Sequence, residues 1–168
     1  MFEHLNTPEE LFSSRLGSAL TMERELANLL EDFERRAQQR DIKRALSEHR
    51  DETLQHARNI EKCFKLLDQE VDDSPCPVVE AIAKNAEATI KKADDALVDS
   101  VILAAAAETE HYEIATYDTL ITNAEARGDT EVAALLQSNR VEEKHALQVA
   151  RTSLKTIAEQ GIAMAVSG

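Results

Sequence analysis

"AAAAETEHYEIATYDTL", residues 104–120, places acidic and imidazole side chains in the middle of an apolar helix pattern. The run of alanines at its start is typical of a helix face that packs against other helices. Apolar positions continue at steps of three and four residues, but Glu110 and Glu113 occupy two of them, and His111 lies beside Glu110. Carboxylates on the core-facing side of a helix need partners, and residues on the other helices of the chain should supply them.

The composition predicts an all-helical protein. The 168 residues include only 4 Gly and 3 Pro, whereas Ala, Leu, Glu and other strong helix formers are abundant. The net charge of −13 argues against nucleic acid as a partner, because phosphate binding needs clustered Lys and Arg. No apolar run approaches the roughly 18 residues that a membrane helix needs, and the N-terminus lacks a signal-peptide pattern. We therefore expect a cytoplasmic protein with no membrane partner.

Helix start and stop signals divide the chain into four long helices and one short one. Pro8, with Asn6 or Thr7 as the capping residue before it, is a helix start, and Gly128 is a helix stop. The stretch "VDDSPCP", residues 71–77, breaks the chain between helices. We predict a single domain, residues 1–168, with helices at about 8–38, 41–70, 77–92, 94–126 and 130–160.

Each long helix has one apolar stripe, which it must bury against the other helices. Two tight turns and one long crossover arrange the helices as two hairpins, with the short helix inside the crossover. This pattern predicts an antiparallel, ferritin-like four-helix bundle. Ile42 corresponds to Val132 and Leu46 to Leu136 at one constant offset, which indicates an approximate internal twofold between the hairpins.

Polar residues interrupt the stripe of every long helix near its middle, at similar distances from the tight turns. They should therefore meet in one layer of the bundle. Unpaired buried carboxylates cost several kcal/mol each and repel one another, against a total stability of about 5–15 kcal/mol. Bound divalent cations would neutralise them, and both carboxylate and imidazole are metal ligands. The candidate ligands are Glu23 on the first long helix, Glu52 with a histidine on the second, Glu110 with Glu113 on the third, and Glu142 or Glu143 on the fourth.

The fourth helix offers two further candidates in "EEKH", residues 142–145. Glu142 and His145 have the Glu-x-x-His spacing of di-iron and di-manganese bundles, although Glu143 lies nearer the centre of the stripe. Taken singly, a Glu near a helix stripe usually reaches water, and a His there usually packs. Carboxylates that take up protons, with no metal, are the purely structural alternative.

The second helix leaves its histidine ligand open. His56 follows Glu52 by four residues and His49 precedes it by three, so either ring could accompany this carboxylate. Tyr117 either packs in the core or donates a hydrogen bond to a ligand. The coincidence of polar interruptions on four helices favours a dinuclear metal site over four separate structural explanations.

The same stretches resemble a known family. "MEREL" (22–26), "EHRDETLQH" (48–56), "ETEHYEIATYDTL" (108–120) and "VEEKH" (141–145) are similar to the YciE/YciF-like bacterial stress proteins, a rubrerythrin-related branch of the ferritin-like superfamily. The resemblance extends over about residues 10–157 and implies a four-helix bundle with an added short helix, and a homodimer. It also implies a metal site whose six predicted ligands are Glu23, Glu52, His56, Glu110, Glu113 and Glu143. His145 departs from the pattern, since this family often has a small residue there.

These observations predict a non-haem stress protein with a dinuclear iron or mixed iron and manganese site. Its activity would be the oxidation of ferrous iron with peroxide or oxygen. Iron, manganese and zinc share these ligand types, so the metal is predicted as iron without excluding manganese or zinc. The alternative is a non-catalytic module that sequesters metal or docks a partner protein.

The short helix is the predicted homodimer interface. Five apolar residues form one edge of it, and an apolar patch of this kind is typical of protein–protein contacts. They are Val78, Val79, Ile82, Ala86 and Ile90.

Overall fold

Five α-helices make up nearly all of the computed structural model, which describes residues 4–167, with side chains as far as Gly161. They are α1 (Pro8–Arg36), α2 (Arg40–Leu66), α3 (Pro77–Ile90), α4 (Val98–Arg127) and α5 (Thr130–Ser167). A 3₁₀ turn at Asp95–Leu97 precedes α4, and residues 4–167 contain no strand. The all-helical prediction is confirmed. Within the described residues, no helix has both the length and the apolar content that crossing a bilayer requires.

The predicted start and stop signals act as expected. Thr7 is the capping residue of α1: its hydroxyl accepts from the Glu10 backbone N–H at 3.1 Å, and the Glu10 carboxylate accepts from the Thr7 N–H at 3.2 Å. Gly128 ends α4 in the left-handed conformation, with φ of 81°. The Asp129 N–H then bonds to the Ala124 carbonyl at 2.9 Å, which closes the end of the helix.

Several predicted boundaries need correction. The helix predicted at 41–70 ends at Leu66, because Asp68 takes a positive φ of 54° and the Gln69 N–H turns back to the Phe64 carbonyl. The helix predicted from 94 begins at Val98, after the 3₁₀ turn. The last helix continues past 160 to its end at Ser167, because no proline interrupts it. The helices predicted at 8–38 and 77–92 are each two residues shorter than predicted.

The long helices pack as two hairpins, α1 with α2 and α4 with α5. The hairpins meet through the pairs α1–α4 and α2–α5, which gives a four-helix bundle, and α3 lies across α4 and α1. Two hydrophobic clusters fill the bundle, one around Phe12, Phe64 and Leu136, the other around Phe33 and Ile102. The stretch between them along the helices is where the polar residues lie.

The crossover that follows α2 runs closely over α1. Gly17 of α1 is buried, and a Cβ atom at this position would lie 2.7 Å from Oδ1 of Asp72 and 2.9 Å from its Cβ. The Asp72 carboxylate is held in place, because it accepts from the backbone N–H and the hydroxyl of Ser74. Only glycine lets the crossover approach this closely.

Candidate metal centre

Six ionisable side chains meet in the middle of the bundle, and none is more than 9% exposed. Each of the four long helices contributes at least one. They are Glu23 of α1, His49 and His56 of α2, Glu110 and Glu113 of α4, and Glu143 of α5.

The six residues form two overlapping groups, in each of which one ligand atom per residue lies within 4.8 Å of the others. The first group is His49, Glu110, Glu113 and Glu143. The second group is Glu23, His56 and Glu143. Because Glu143 belongs to both, its two carboxylate oxygens lie where a bridging ligand between two ions would be needed.

His49 faces the first group with one ring nitrogen only. Its Nε2 lies 2.9 Å from Glu110 Oε1 and 3.6 Å from Glu143 Oε2. Its Nδ1 lies 3.3 Å from Glu52 Oε2, on the side away from the cluster. The carboxylate of Glu52 is 42% exposed, so this residue orients the ring from the edge of the bundle.

His56 is arranged in the same way in the second group. Its Nδ1 lies 2.7 Å from Glu143 Oε1 and 3.6 Å from Glu23 Oε2, and these contacts lack hydrogen-bond geometry. Its Nε2 forms a hydrogen bond of 2.7 Å with Glu142 Oε2. Glu142 is 43% exposed, so it corresponds to Glu52 on the other side of the bundle. Each histidine therefore has one nitrogen toward the cluster and one toward a half-exposed carboxylate.

A chain of buried hydrogen bonds holds Glu23. The Tyr117 hydroxyl donates to Glu23 Oε1, and the side-chain amide of Asn139 donates to the Tyr117 oxygen at 3.0 Å. Asn139 also donates to the His56 carbonyl at 3.3 Å and accepts from Asn59 at 2.7 Å. Tyr117 thus makes the predicted hydrogen bond to a candidate ligand. The role of Asn139 was not predicted, although a polar residue one turn before Glu143 on an apolar stripe is a usable signal.

Several carboxylate oxygens in the cluster are fully buried and have no hydrogen-bond partner. Such atoms cost about 1–3 kcal/mol each, and more when charged, so native proteins rarely leave them unsatisfied. They all belong to residues whose oxygens converge on one another, so a cation placed among them would satisfy several at once. The atoms are Glu23 Oε2, Glu110 Oε2, Glu113 Oε1 and both carboxylate oxygens of Glu143.

Burial and mutual repulsion raise the pKa values of the acids. Burial raises the pKa of Glu113 well above its usual range, and the neighbouring Glu143 and Glu110 raise it further. Burial likewise raises the pKa of Glu23, and that of Glu143 to about 7. The cluster is therefore poorly suited to holding its carboxylates ionised without added positive charge.

The neighbouring acids favour the charged form of the two imidazoles, whereas burial favours the neutral form of the acids themselves. Burial alone would lower the pKa of His56, but the Glu143 and Glu23 carboxylates outweigh it and raise the value to about 11. Burial alone would lower the pKa of His49, but the carboxylates of Glu110, Glu52 and Glu143 outweigh it and raise the pKa well above its usual value. Two imidazolium charges cannot balance four carboxylates, so divalent cations fit the charge and the donor types of this site.

The structure brings together five of the six residues predicted as ligands, and adds His49, which was an alternative. Glu52 and Glu142 lie outside the cluster as partners of the two histidines. His145 is exposed and lies near the first group without joining it. Metal binding by these residues stays a prediction.

Comparison with known proteins agrees with the resemblance described above. The family model described as "Domain of unknown function (DUF892)" matches residues 7–166. Protein YciF of Escherichia coli K12 is 30% identical over 146 residues, which cover 84% of this chain and 86% of YciF.

Solved structures give the same result. YcfI of Rhodopseudomonas palustris superposes with a TM-score of 0.86 at 31% identity, over 90% of this chain and 98% of YcfI. The E. coli stress protein YciF superposes with a TM-score of 0.87 at 25% identity, over 92% of this chain and 99% of YciF. A Xanthomonas campestris protein, 19% identical with a TM-score of 0.75, over 94% of this chain and 98% of its own, shares the fold. The chain belongs to the DUF892 family and is a homologue of the E. coli stress protein YciF.

Proposed function

We propose that this protein is a ferritin-like stress protein that binds two divalent metal ions, with iron as the native metal, and oxidises ferrous iron with dioxygen or peroxide. One observation gives this proposal its main support. Carboxylates and imidazoles from all four long helices converge in a buried layer, and Glu143 is shared between two ligand groups. Two hairpins joined by a long crossover are the connectivity of ferritin-like bundles, which supports the assignment.

Each of the two groups would hold one metal ion. His49, Glu110 and Glu113 would hold one ion, Glu23 and His56 would hold the other, and Glu143 would bridge them. The unpartnered oxygens of these residues already face one another, so binding requires little rearrangement. Each histidine is oriented by its outer carboxylate, Glu52 or Glu142, as is usual for imidazole ligands.

Two ferrous ions held there would supply one electron each, which with two protons would reduce dioxygen to hydrogen peroxide or hydrogen peroxide to two molecules of water. The residues of this chain would bind the ions and transfer the protons. Glu52 and Glu142 are half exposed and contact the outer ring nitrogens, so they connect the buried cluster to bulk water for proton exchange. Tyr117 and Asn139 hold the Glu23 carboxylate in one orientation.

Anaerobic titration with ferrous iron, followed by addition of dioxygen or peroxide, tests the proposal. We expect two equivalents bound per chain and oxidation faster than that of free ferrous ion. Glu110→Ala should lose at least one equivalent, because Glu110 is 1% exposed and faces His49. Glu108→Ala is the matched control: Glu108 is on the same helix but is exposed, so this variant should bind two equivalents.

The outcomes separate the proposal from its alternative. Two bound equivalents with no oxidation above the free-ion rate would leave a non-catalytic metal-sequestering module. A chain that binds no metal, or a Glu110→Ala variant that binds as much as the wild type, would contradict the site itself.

We further propose a cytoplasmic homodimer. Two free cysteines, Cys63 and Cys76, are consistent with a reducing compartment. Of the five predicted interface residues, Val79 and Ala86 are buried within the chain, Ile82 and Ile90 are half-buried, and Val78 is 40% exposed, so Val78 is the member of this edge most available to a partner. Sedimentation of the purified protein as a monomer would contradict the dimer.

A further inference from the structure

A cavity of about 100 Å³ lies between α2 and α5, beside the first ligand group. Two of its lining residues, Glu48 and His145, are exposed at the surface of the bundle. Two others, His49 and Glu110, are buried. The cavity therefore opens to water and leads inward to two candidate metal ligands.

The first ligand group is the one that solvent reaches. His49 is 9% exposed, whereas Glu23, His56 and Glu143, which form the second group, are all 0% exposed. On the outer side of His56, the Glu142 carboxylate contacts the ring nitrogen at 2.7 Å and covers it. An ion that arrives from bulk water therefore has its open approach on the His49 side.

The charge of the lining suits a cation. Three carboxylates line the cavity, those of Glu48, Glu52 and Glu110, and no Lys or Arg lies among its described lining residues. Glu48 has an ion pair of 3.9 Å with Arg44, but the two side chains are 70% and 68% exposed, so water weakens this pair. The carboxylate of Glu48 is thus available to an approaching ion.

The inner end of the cavity has an acceptor without a partner. Oε2 of Glu110 is buried and forms no hydrogen bond. A cation beside this oxygen would offset the free energy that its burial costs. The cavity has room for several water molecules, so an ion can keep part of its hydration shell until carboxylate oxygens replace it.

We propose that this cavity is the entry path for divalent cations, in which Glu48 and Glu52 attract the ion and Glu110 receives it. The proposal rests on the proposed function and deepens it, because it states how the metal ion reaches the buried site. A passage lined by one sign of charge raises the local concentration of the opposite ion and its rate of entry.

Anaerobic stopped-flow mixing of the metal-free chain with cobaltous ion measures the rate of entry without any oxidation. The visible absorption of this ion changes when carboxylate and imidazole ligands replace its water. Glu48→Gln should slow uptake by about fivefold and still bind two equivalents at equilibrium. Glu108→Gln is the matched control: it changes the net charge equally, but Glu108 is exposed on α4 outside this cavity, so uptake should match the wild type.

Narrowing the cavity tests the path by a second means. Ala45 of α2 and Ala146 of α5 line it from opposite helices. Ala146→Leu should slow uptake by about tenfold without changing the two equivalents bound at equilibrium, and Ala45→Leu repeats the closure if Ala146→Leu fails to fold. Ala134→Leu, at an exposed position of α5, is the matched control and should take up cobaltous ion at the wild-type rate.

Failure of this inference differs from failure of the proposed function. Wild-type uptake rates in both closure variants would overturn the entry path, and two equivalents bound by the wild type would leave the proposed function standing. If Glu108→Gln slows uptake as much as Glu48→Gln does, net charge alone governs entry and the assigned role of Glu48 is wrong. A wild-type chain that binds neither cobaltous nor ferrous ion would overturn both.

Discussion

Glu113 is the acid of the cluster that forms no ion pair with either histidine. Burial raises its pKa, and the repulsion of Glu143 and Glu110 adds to this. At neutral pH without metal, this residue opposes folding or takes up a proton. Glu113 should therefore destabilise the metal-free fold, whereas it should strengthen the binding of metal.

We predict that Glu113→Gln stabilises the metal-free protein by about 1 kcal/mol or more while removing one equivalent of bound metal. The amide keeps the shape of the side chain and removes the buried charge. Urea unfolding of the chelator-treated protein and metal analysis of the loaded protein measure the two effects. Glu108→Gln, an exposed change on the same helix, should alter neither. A destabilised metal-free variant would show that Glu113 has a structural partner.

The sequence could identify the polar layer but not which side chain of α2 enters it. His49 and Glu52, like Glu52 and His56, have spacings that place residues near one face of a helix. His49 and His56 are two turns apart and so point in nearly the same direction, whereas Glu52 is rotated toward the edge. Side-chain length completes the separation, because Glu52 can reach back to His49 Nδ1 from the surface.

Hydrogen bonds between different helices could not be predicted from the sequence, for a different reason. Tyr117, Asn139 and Glu23 come from three helices, and their hydrogen bonds depend on how those helices rotate against one another. Periodicity along one helix contains no information about that rotation. It could therefore assign Tyr117 to the core, but it could not assign Asn139 to the support of Tyr117.

At the scale of the elements, α2 begins without a side-chain cap of its own. Gln39 precedes its first residue and makes no capping hydrogen bond with its side chain. The buried carboxylate of Asp99, from the first turn of α4, accepts from the backbone N–H groups of Gln38 and Gln39 at 2.7 and 3.0 Å. One hairpin thus caps the turn of the other, which ties the two together at the end opposite the crossover's contact with Gly17.

Asp99→Ala should destabilise the protein by about 1–2 kcal/mol, because two backbone donors lose a charged acceptor. The amide hydrogens of Gln38 and Gln39 should exchange faster in this variant than in the wild type. Asp99→Asn keeps one acceptor oxygen and should show a smaller loss. Unchanged exchange at these two amides would mean that water replaces the carboxylate fully.

Helix ends could be predicted where the residue that determines the end lies within one turn of it. Pro8 and Gly128 act within one helical turn, and the helix ends beside them were predicted to within one residue. The end of α2 depends on Asp68 adopting a positive φ, which Asp does only where its surroundings permit it. The Asp99 cap joins residues some 60 positions apart, so no pattern within α2 could reveal it.

For the molecule as a whole, the six buried ionisable residues lie between the two hydrophobic clusters and come from all four long helices. Bound metal would therefore link the α1–α2 hairpin to the α4–α5 hairpin. Metal that binds only the folded chain adds its binding free energy to the stability of the entire bundle.

This arrangement predicts that the metal-free protein loses stability as the pH rises, whereas the stabilisation by bound metal increases. Glu23, Glu113 and Glu143 have pKa values raised above 4.5, with that of Glu143 at about 7, and the pKa values of His49 and His56 are raised above 6.5. Above pH 4.5 the folded chain holds more protons than the unfolded chain, so its free energy of unfolding falls as the pH rises. The pKa of Glu52 is lowered by His49, and its contribution is lost only below pH 4.5.

We therefore expect the chelator-treated protein to be less stable at pH 8 than at pH 5.5, and the metal-loaded protein to gain more from metal at pH 8, because ligands must lose their protons to bind. Urea unfolding at the two pH values, with and without metal, measures both differences. Glu113→Gln lacks one of the titrating groups and should show a shallower fall without metal. A metal-free protein that becomes more stable as the pH rises through this range would mean that the buried acids ionise freely. In that case the cluster would not need cations to balance its charge.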